Sequence, residues 1–506
     1  MFFRDADTYS GILPAEAVWG TDNTIYFKAN NGICGIALSD SCAEDPAVQK
    51  QKEENNQIMK IEKHAEKYRK QLKKSEIFYR PYRNQECQKT VNCVDNYVLA
   101  PMLNLFVIWL LEEAVHYKIR HLFFLARDSY PIYKTARRYC EKLHLELECS
   151  YFYCSRYSLR VPMYAENLEE ALEHVCRGGI DVSFRKILIR SGFEPQKAEK
   201  LREYFEIERE LDDIIPYPEL RTMKKELSEN KRYMEMLKNV SMEKKDNVCE
   251  YFRQEGMLEE RTGIVDSGWT GTTQKSINEI RKKCGCTIEV EGFYFGLFET
   301  PEGCDPQKYH SFYFSPKNEI MNKVFFSNCF LETILSAPHG TTVGYEETDS
   351  RMVPILAPYR AENKEKTEHF FEVLRRYTDK MLHCCSKSDI EHVDIKKNKK
   401  ILQKSLRRFM WDPSRDEAYY YGTLQFSDDL LDDHMRDLAV PMSKKQLQEN
   451  HFGNKILTAF GIRRKHIHES AWYEASATRS VHIGIMHKFS YSCYKMFSYI
   501  KKGIHF

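Results

Sequence analysis

Apolar runs of strand length alternate with helical periodicity in the middle of the chain. A long apolar stretch at residues 96–117 has helical length, and a short apolar run follows it at 121–126. A second helix is predicted at 132–143 and a second strand at 148–154. Strands that alternate with helices in this way are typical of a parallel sheet with helical crossovers.

The same order of elements recurs further along the chain. A third strand begins at 263–265, a helix follows at 275–283, and a fourth strand spans 287–298. The sequence between the two units, at about 165–258, is charged and helical and predicts an insertion. We therefore predict an α/β fold with a Rossmann-like parallel sheet, this helical insertion and mostly helical terminal regions.

The flanking regions differ in composition from this core. Nearly every position between 48 and 74 is charged or polar, with Glu and Lys at helical spacing, which indicates a solvated helix or a connector. We predict three parts of the chain: an N-terminal segment with this helix at 1–85, the Rossmann-like core with its insertion at 86–350, and a mostly helical region at 351–506.

Charge and cysteine content narrow the function classes. The chain has 76 Lys and Arg against 74 Asp and Glu, so nothing in its charge indicates nucleic acid as a partner. None of the 16 cysteines forms a CxxC pair, which argues against a structural zinc site. The N-terminus has no apolar signal segment, and the apolar stretch at 98–111 is shorter than the about 20 residues of a membrane span. We expect a cytoplasmic protein in which this stretch is a buried helix.

The segment at 266–273 is the strongest candidate for a ligand site. It follows the third strand and opens a helix, where exposed amides attract a phosphate or a carboxylate. Gly268 and Gly271 allow a tight turn and the close approach of a ligand. Asp266, at the carboxyl end of the strand, is a candidate catalytic residue, and a well-capped strand-to-helix turn is the alternative. The other candidate ligand-binding residues here, which include threonines that could cap the helix, are Ser267, Thr270, Thr272 and Thr273.

Two further strands are predicted to end in polar loops. Arg127, Asp128 and Ser129 follow the first strand; Asp128 is a second candidate catalytic residue, and its neighbours are candidates for ligand binding. Arg156 and Arg160 follow the second strand at a spacing that lets both bind an anion from one helix face. The alternative for the loop with Arg127 and Asp128 is an ion pair that fixes the turn. The alternative for Arg156 and Arg160 is a surface-exposed basic turn. Because the carboxyl ends of parallel strands share one edge, the three loops should converge.

His339 is a secondary candidate for ligand binding. It stands between Pro338 and Gly340 in a predicted turn, a few residues after the titratable Glu332, and a turn can present a side chain to a ligand. A histidine in a loop is more often structural or solvated, so both roles stay open.

Four ordered segments between about residues 95 and 346 resemble bacterial proteins that are identified as predicted hydrolases of the haloacid-dehalogenase (HAD) superfamily. The segments are IRHLFFLARDSYPIYK, FYCSRYSLRVP, VDSGWTGTTQ and FLETILSAPHGTTVGY. Such proteins look like companions of glycosyltransferases in surface-polysaccharide biosynthesis. The resemblance implies a phosphorylated small molecule as the ligand and a glycosyltransferase as a partner. The cofactor is open, with Mg²⁺ a candidate for a phosphorylated ligand.

The resemblance does not extend to the HAD nucleophile motif. Family members carry an aspartate motif after an apolar strand, and here only Asp5-Ala6-Asp7-Thr8 approximates it, after MFFR. We therefore expect the chain to lack the HAD phosphatase half. A HAD-type phosphatase built on Asp128 or Asp266 would need an acid two residues later, where Tyr130 and Gly268 stand.

The sequence VDSGWTGTT also looks like the ribose-phosphate loop of type I phosphoribosyltransferases, in which two acidic residues precede Thr-Gly and Thr. Ser267 stands in place of the second acid here.

Three function classes stay open. The first is an enzyme or enzyme-like protein of bacterial cell-surface polysaccharide biosynthesis that binds a phosphorylated sugar or a nucleotide-type ligand. The others are a phosphohydrolase or phosphoribosyltransferase-like transferase, and a non-catalytic partner of a glycosyltransferase.

The end of the chain forms a separate candidate surface. Phe489, Cys493, Met496 and Ile500 recur at helical spacing and are flanked by lysines. Such a helix either packs on the protein's own core or lies on an anionic membrane surface, in which case the protein is membrane-peripheral.

Overall fold

The computed structural model of the chain describes residues 64–83, 93–178, 182–216, 219–427, 435–459, 467–481 and 484–504, and the backbone of three strands between residues 18 and 37. Internal contacts divide the chain into two units, Met1–Glu62 and Lys63–Phe506. The motif at 5–8 and the first part of the charged segment 48–74 lie outside the described residues. The three-part division at about residues 85 and 350 stays a prediction.

The described part of the first unit is a small antiparallel sheet. Strand β1 (Val18–Trp19) pairs with β2 (Thr24–Ala29), which pairs with β3 (Gly32–Ala37). The prediction of a mostly helical terminal region is therefore wrong for these residues. The sequence signal of the hairpin is an asparagine pair, Asn30-Asn31, between two runs of strand formers.

The second unit contains a five-stranded parallel sheet, which confirms the predicted α/β class. Its strands are β4 (His121–Leu125), β5 (Glu148–Phe152), β6 (Thr262–Trp269), β7 (Glu291–Leu297) and β8 (Tyr309–Phe314). They stand in the order β5-β4-β6-β7-β8, and each neighbouring pair is parallel.

Strand β8 is absent from the sequence-based prediction. The other connections of this sheet contain helices, whereas residues 298–308, between β7 and β8, hold a single 3-10 turn, Pro306–Lys308. The prediction depends on strands that alternate with helices, and this alternation is interrupted before β8.

The sheet is buried on both faces. Leu122 and Phe124 of β4 belong to the largest hydrophobic core, whereas Phe123 and Leu125 belong to a second core. Successive side chains of a strand point to opposite faces, so the two cores lie on the two sides of the sheet. A strand that is buried on both sides has an uninterrupted apolar sequence, which explains the run HLFFLA.

Helices surround the sheet and form most of the remaining chain. The first helices are α1 (residues 64–72), α2 (Glu76–Tyr79), α3 (Ala100–His116, entered through the π-helical turn Asp95–Leu99), α4 (Tyr130–Leu143), α5 (Arg156–Arg160), α6 (Leu168–Val175), α7 (Phe184–Arg190), α8 (Ala198–Tyr204), α9 (Leu220–Glu229), α10 (Lys231–Gln254) and α11 (Thr272–Lys283). After the sheet come α12 (Ile320–Val324), α13 (Asn328–Leu335), α14 (Lys364–Cys384), α15 (Lys387–Glu391), α16 (Ile395–Trp411), α17 (Arg415–Gly422), α18 (Lys444–Glu449), α19 (Phe452–Ala459), α20 (Tyr473–Ser480) and α21 (Ile485–Ile504).

Two antiparallel hairpins complete the second unit. Strands β9 (Thr342–Thr348) and β10 (Arg351–Leu356) form one, and the short strands β11 (Gln425–Phe426) and β12 (Arg436–Asp437) form the other. Neither hairpin is predicted from the sequence.

Two helices have surroundings that bear on the predictions. Tyr68 and Leu72 of α1 are each 1% exposed, so the described end of the charged segment is packed on one side rather than solvated. The helix Asp95–His116 is, among the described residues, the one that is long and apolar enough to cross a membrane, and 78% of its most apolar window is buried inside the structure. Its burial agrees with the predicted core helix.

The helices that follow β4 and β6 lie on opposite faces of the sheet. α4 contributes Ile132 and Tyr139 to the largest core, and α11 contributes Ile277 and Ile280 to the second core. The chain also leaves these neighbouring strands in opposite directions, because β4 connects to β5 and β6 connects to β7. Such a divergence opens a crevice at the carboxyl ends of the two strands.

Helices α6 to α10 occupy the region of the predicted insertion. They form a separate hydrophobic core around Phe184, Leu188 and Tyr233. The last of them, α10, also packs Val248 and Phe252 on the second face of the sheet. The insertion is therefore anchored to the sheet through its longest helix.

Replacing Asp95 with asparagine should stabilise the protein at alkaline pH. Asp95 is 1% exposed, accepts a hydrogen bond from the Tyr421 hydroxyl at 2.7 Å and lies 4.0 Å from the His369 imidazole. Burial raises the pKa of Asp95 from 3.8 to about 7, so the folded protein loses stability as the pH rises through this range. The full loss is on the order of 4 kcal/mol, and asparagine avoids it while keeping an acceptor for Tyr421.

Thermal unfolding of both proteins at about pH 4 and about pH 8 measures the effect. The gain in Tm for Asp95→Asn should be small at the acidic pH and large at the alkaline pH. The exposed Asp246→Asn on α10 is the control and should show no such trend. A gain that is equal at both pH values contradicts the prediction.

Candidate functional site

A polar cavity of about 390 Å³ lies at the carboxyl ends of β4, β5 and β6. Its wall combines the residues that follow these strands with α13, the start of α14 and β11. The three predicted loops therefore converge at one edge of the sheet. The predicted site residues that line the cavity are Arg127, Asp128, Arg156, Asp266, Ser267, Gly268, Thr270, Gly271, Thr272 and Thr273.

Asp266, Ser267 and Gly268 belong to β6 rather than to a loop, because this strand stays paired with β7 as far as Trp269. The backbone has positive φ at two successive residues, Gly268 at 115° and Trp269 at 87°. A Cβ at Gly268 would clash with the carbonyl oxygen of Gly296 on β7. Glycine therefore allows the close approach of the two strands where β6 bends toward the cavity.

Helix α11 begins at the cavity without a side-chain cap. Its N-cap is Gly271, at φ 63°, whereas the sequence predicts capping by threonines. The Thr270 and Thr272 hydroxyls lie 3.4 Å apart, and Arg160 donates to the Thr272 hydroxyl at 3.3 Å. The capping prediction is thus wrong, and the first amides of α11 are left for a ligand or solvent. An uncapped helix N-terminus attracts an anion.

Three carboxyl groups line the cavity from different elements: Asp128, Asp266 and Glu332. The Ser267 hydroxyl donates to Asp128, and the Trp269 indole N–H donates to Glu332. Burial raises the pKa of Asp266 well above its usual value, and the negative charges of Asp128 and Glu332 raise it further. This environment favours the protonated form of Asp266.

Arginines supply the positive charge of the cavity. Arg127 follows β4, Arg156 is the first residue of α5, and Arg360 stands shortly before α14. The Ala337 amide donates to the Arg127 carbonyl at 3.2 Å, which joins this loop to the end of α13. Guanidinium groups bind phosphate and carboxylate groups through paired hydrogen bonds, so the cavity suits an anionic ligand.

Ser129, a predicted ligand-binding residue, lies outside the cavity wall. Its side chain is fully buried, and its hydroxyl donates to the Val265 carbonyl on β6 at 3.0 Å. The bond joins the loop after β4 to the neighbouring strand. Ser129 therefore positions Asp128 relative to Asp266.

Arg160 and His339 also lie outside the cavity wall. Arg160 contacts the cavity indirectly, through its hydrogen bond to Thr272. His339 donates from Nδ1 to the Gly340 carbonyl at 2.8 Å, so its Nε2 accepts from the Tyr151 hydroxyl at 2.7 Å. Burial lowers the pKa of His339, which favours this neutral form with one hydrogen bond at each ring nitrogen. The arrangement fits a role in fixing the turn.

Much of the wall comes from regions with no local motif. The Asn363 side chain holds the Gln425 backbone through two hydrogen bonds of 2.7 Å: it donates to the carbonyl and accepts from the amide. These residues are far apart along the chain and become neighbours only through folding, so sequence patterns do not associate them. For Glu332 the sequence offers one signal of a site residue, because it is a titratable residue that follows an apolar stretch. The main polar residues that were missed are Asn328, Thr333, Ser336, Thr341, Tyr359, Arg360, Asn363, Thr367 and Gln425.

A metal site formed by the protein alone is not found in the described part of the chain, since no group of three or more His, Cys, Asp or Glu residues there could hold a metal ion. Asp128 and Glu332 are engaged by hydrogen-bond donors. Mg²⁺ commonly binds one or two carboxylates together with the phosphates of a substrate. Asp128 could contribute to such a site once a phosphorylated ligand is present.

No protein-family model matches the chain. No curated protein matches it either. The resemblance to HAD-superfamily sequences in four short segments, and to phosphoribosyltransferases in one, therefore stays a prediction.

Replacing Gly268 with alanine should destabilise the protein by more than about 2 kcal/mol, because a side chain there combines positive φ with a clash against the backbone of Gly296. Gly303→Ala is the control, since Gly303 also has positive φ but a Cβ there would contact nothing within 4 Å. Its cost should be about 1 kcal/mol. Chemical denaturation of both variants measures the difference, and equal losses would contradict a close approach of β6 and β7.

Proposed function

We propose that the chain binds a phosphorylated sugar or a nucleotide-type ligand in the cavity at the ends of β4 and β6. We further propose that it acts on this ligand as an enzyme or enzyme-like protein of bacterial cell-surface polysaccharide biosynthesis. The uncapped start of α11 beside the arginines of the cavity is the observation that carries the ligand class. The polysaccharide context and a glycosyltransferase partner rest on the resemblance of the four segments.

The sheet order supports a Rossmann-like site. Numbered from β4, the five parallel strands have the order 2-1-3-4-5, which is one of the two common orders of doubly wound α/β folds. In such folds the ligand binds where neighbouring strands send their chains in opposite directions, which here is between β4 and β6. The cavity lies at this point.

The charges of the cavity suit a ligand that has both phosphate and hydroxyl groups. The amides at the start of α11 and the guanidinium groups of Arg127, Arg156 and Arg360 would bind the phosphate. Carboxylates accept hydrogen bonds from sugar hydroxyls, and Asp128 and Glu332 are placed for this role. A purely apolar ligand would cover these charged groups without adding hydrogen bonds to them.

Asp266 and Asp128 would supply acid–base chemistry. The raised pKa of Asp266 keeps a proton that can be given to a leaving group, while Asp128 is held by the Ser267 hydroxyl. A carboxyl group that keeps its proton, beside a second carboxyl group at the same site, is a usual arrangement for such proton transfer. The same pair favours hydrolysis or group transfer over mere binding as the role of the cavity.

Replacing Arg156 with alanine should weaken ligand binding at least tenfold, because a charge-assisted contact to phosphate contributes about 1.5–3 kcal/mol. The measurement is the thermal shift of the full chain with phosphosugars, sugar nucleotides and free nucleotides, with and without Mg²⁺. A ligand at a hundredfold excess over its Kd adds about 2.7 kcal/mol to the free energy of unfolding.

Arg253→Ala is the matched control, because Arg253 lies on α10, outside the cavity wall, with 57% of its side chain exposed. It should respond to ligand like the unchanged chain. If no member of the panel stabilises the unchanged chain, or if both variants respond alike, the proposed ligand site is wrong.

Asp266→Asn should remove turnover of any ligand found in this way while the fold is kept. The pKa of Asp266 is raised in the folded state, so the unchanged chain loses stability as the pH rises above the ordinary value of 3.8. Asparagine carries no such penalty, and the Tm advantage of the variant should grow with pH. Retained turnover would show that the carboxyl group is not catalytic, and a variant less stable at every pH would show that it has a structural role.

A further inference from the structure

Helix α21 is packed with its polar face inward. Lys488 forms an ion pair with Asp412 at 2.7 Å, and Lys495 forms one with Glu474 at 3.2 Å. The Tyr499 ring stacks on Phe298, at the end of β7, with 5.4 Å between the ring centroids. Of the stripe that the sequence shows, Phe489 and Ile500 are exposed, whereas Cys493 and Met496 are half-buried.

The outward face of α21 is apolar and exposed. At 100° per residue its exposed apolar side chains fall within an arc of roughly 120°. Their exposed fractions range from 41% for Phe497 to 70% for Met486. The exposed apolar residues of this face are Ile485, Met486, Phe489, Phe497 and Ile500.

Helix α19 extends the same surface. Its exposed Phe452 contacts Phe497 edge to face, with 6.0 Å between the ring centroids, and the Phe452 amide donates to the Ser490 hydroxyl at 3.0 Å. We call these five residues of α21, together with Phe452, the tail patch. Six of the 17 exposed large apolar side chains in the described residues belong to it, so the patch is a cluster rather than a scatter.

The surrounding sequence is strongly cationic. Residues 452–506 contain nine Lys and Arg against two acidic residues, Glu469 and Glu474. Four of these cations are paired with carboxylates: Lys455 with Glu469, Arg479 with Asp437, Lys488 with Asp412 and Lys495 with Glu474. The segment contains five further Lys and Arg residues and no further acidic residue. This excess of positive charge favours an occupant of the tail patch that combines an apolar surface with negative charge.

We propose that the tail patch binds the surface of an anionic lipid bilayer, with the apolar side chains of α21 and α19 inserted at the boundary between headgroups and acyl chains. A basic amphipathic helix of this kind lies in the plane of the interface. A second copy of the chain is a poorer occupant, because a symmetric contact would bring two cationic segments together. The proposal is independent of the ligand in the cavity.

Vesicle sedimentation of the full chain tests the proposal. The chain should sediment with vesicles of phosphatidylcholine and phosphatidylglycerol, and much less with phosphatidylcholine alone. High salt should weaken the binding, because it screens the attraction to the anionic surface. The double variant Phe489→Ser with Phe497→Ser should lower the partition coefficient by roughly tenfold or more, since two inserted aromatic side chains are lost.

The matched control is the double variant Met242→Ser with Ile288→Ser, which removes two exposed apolar side chains outside the tail patch. It should bind vesicles like the unchanged chain, and thermal unfolding of both double variants should show intact folds. Absent binding, binding that ignores salt and lipid charge, or equal binding of both double variants would overturn the proposal. A dimer seen by light scattering without lipid and lost in Phe489→Ser with Phe497→Ser would assign the patch to a second copy instead.

Discussion

The pairing of β4 with β6 is the constraint on which the rest of the structure depends. Both strands are central in the sheet, and Phe124 stands opposite Val265 in their parallel register. Because their helices pack on opposite faces, no crossover can cover the carboxyl ends of the two strands. The location of the cavity thus follows from the strand order. The hydrogen bond from Ser129 to Val265 fixes the loop after β4 against β6.

The cavity concentrates charge at the edge of an apolar sheet. Three arginines and three carboxyl groups line it, and at least two of the carboxyl groups are held by hydrogen-bond donors from β6. Groups that are held in place before a ligand arrives need no reorganisation during a reaction, but they weaken the fold when they are desolvated. The raised pKa of Asp266 is a direct sign of this cost.

The parts of the fold that could be predicted are those with a local cause. The run HLFFLA predicts β4 because a strand buried on both faces needs apolar residues at every position, and the turn at Gly268 and Gly271 predicts a close backbone approach. Strand β8 could not be predicted, because its connection lacks a helix. The far wall of the cavity, with Arg360 and Gln425, has no local signal, since only tertiary packing brings these residues to β6.

Helix α21 shows a different limit of sequence patterns. Its periodicity predicts a helix, but the usual assumption that the apolar stripe faces the core holds only in part: Phe489 and Ile500 are exposed, whereas Cys493 and Met496 are half-buried. Lys488 and Lys495 form ion pairs with Asp412 and Glu474, which anchor the helix through its polar side chains. Which side of an amphipathic helix is buried depends on partners that are distant in the sequence.

The missing cap of α11 links the cavity to the stability of the fold. A helix that begins at Gly271 without a side-chain acceptor lacks a contribution of about a few tenths of a kcal/mol that a serine, threonine or aspartate provides relative to glycine. An anion bound at the same amides would supply that contribution. Selection for a more stable empty protein would favour a built-in cap, which would compete with the ligand for the same N–H groups. Folding stability and ligand affinity thus both depend on the N–H groups in the first turn of α11. A change there that improves one of the two also affects the other.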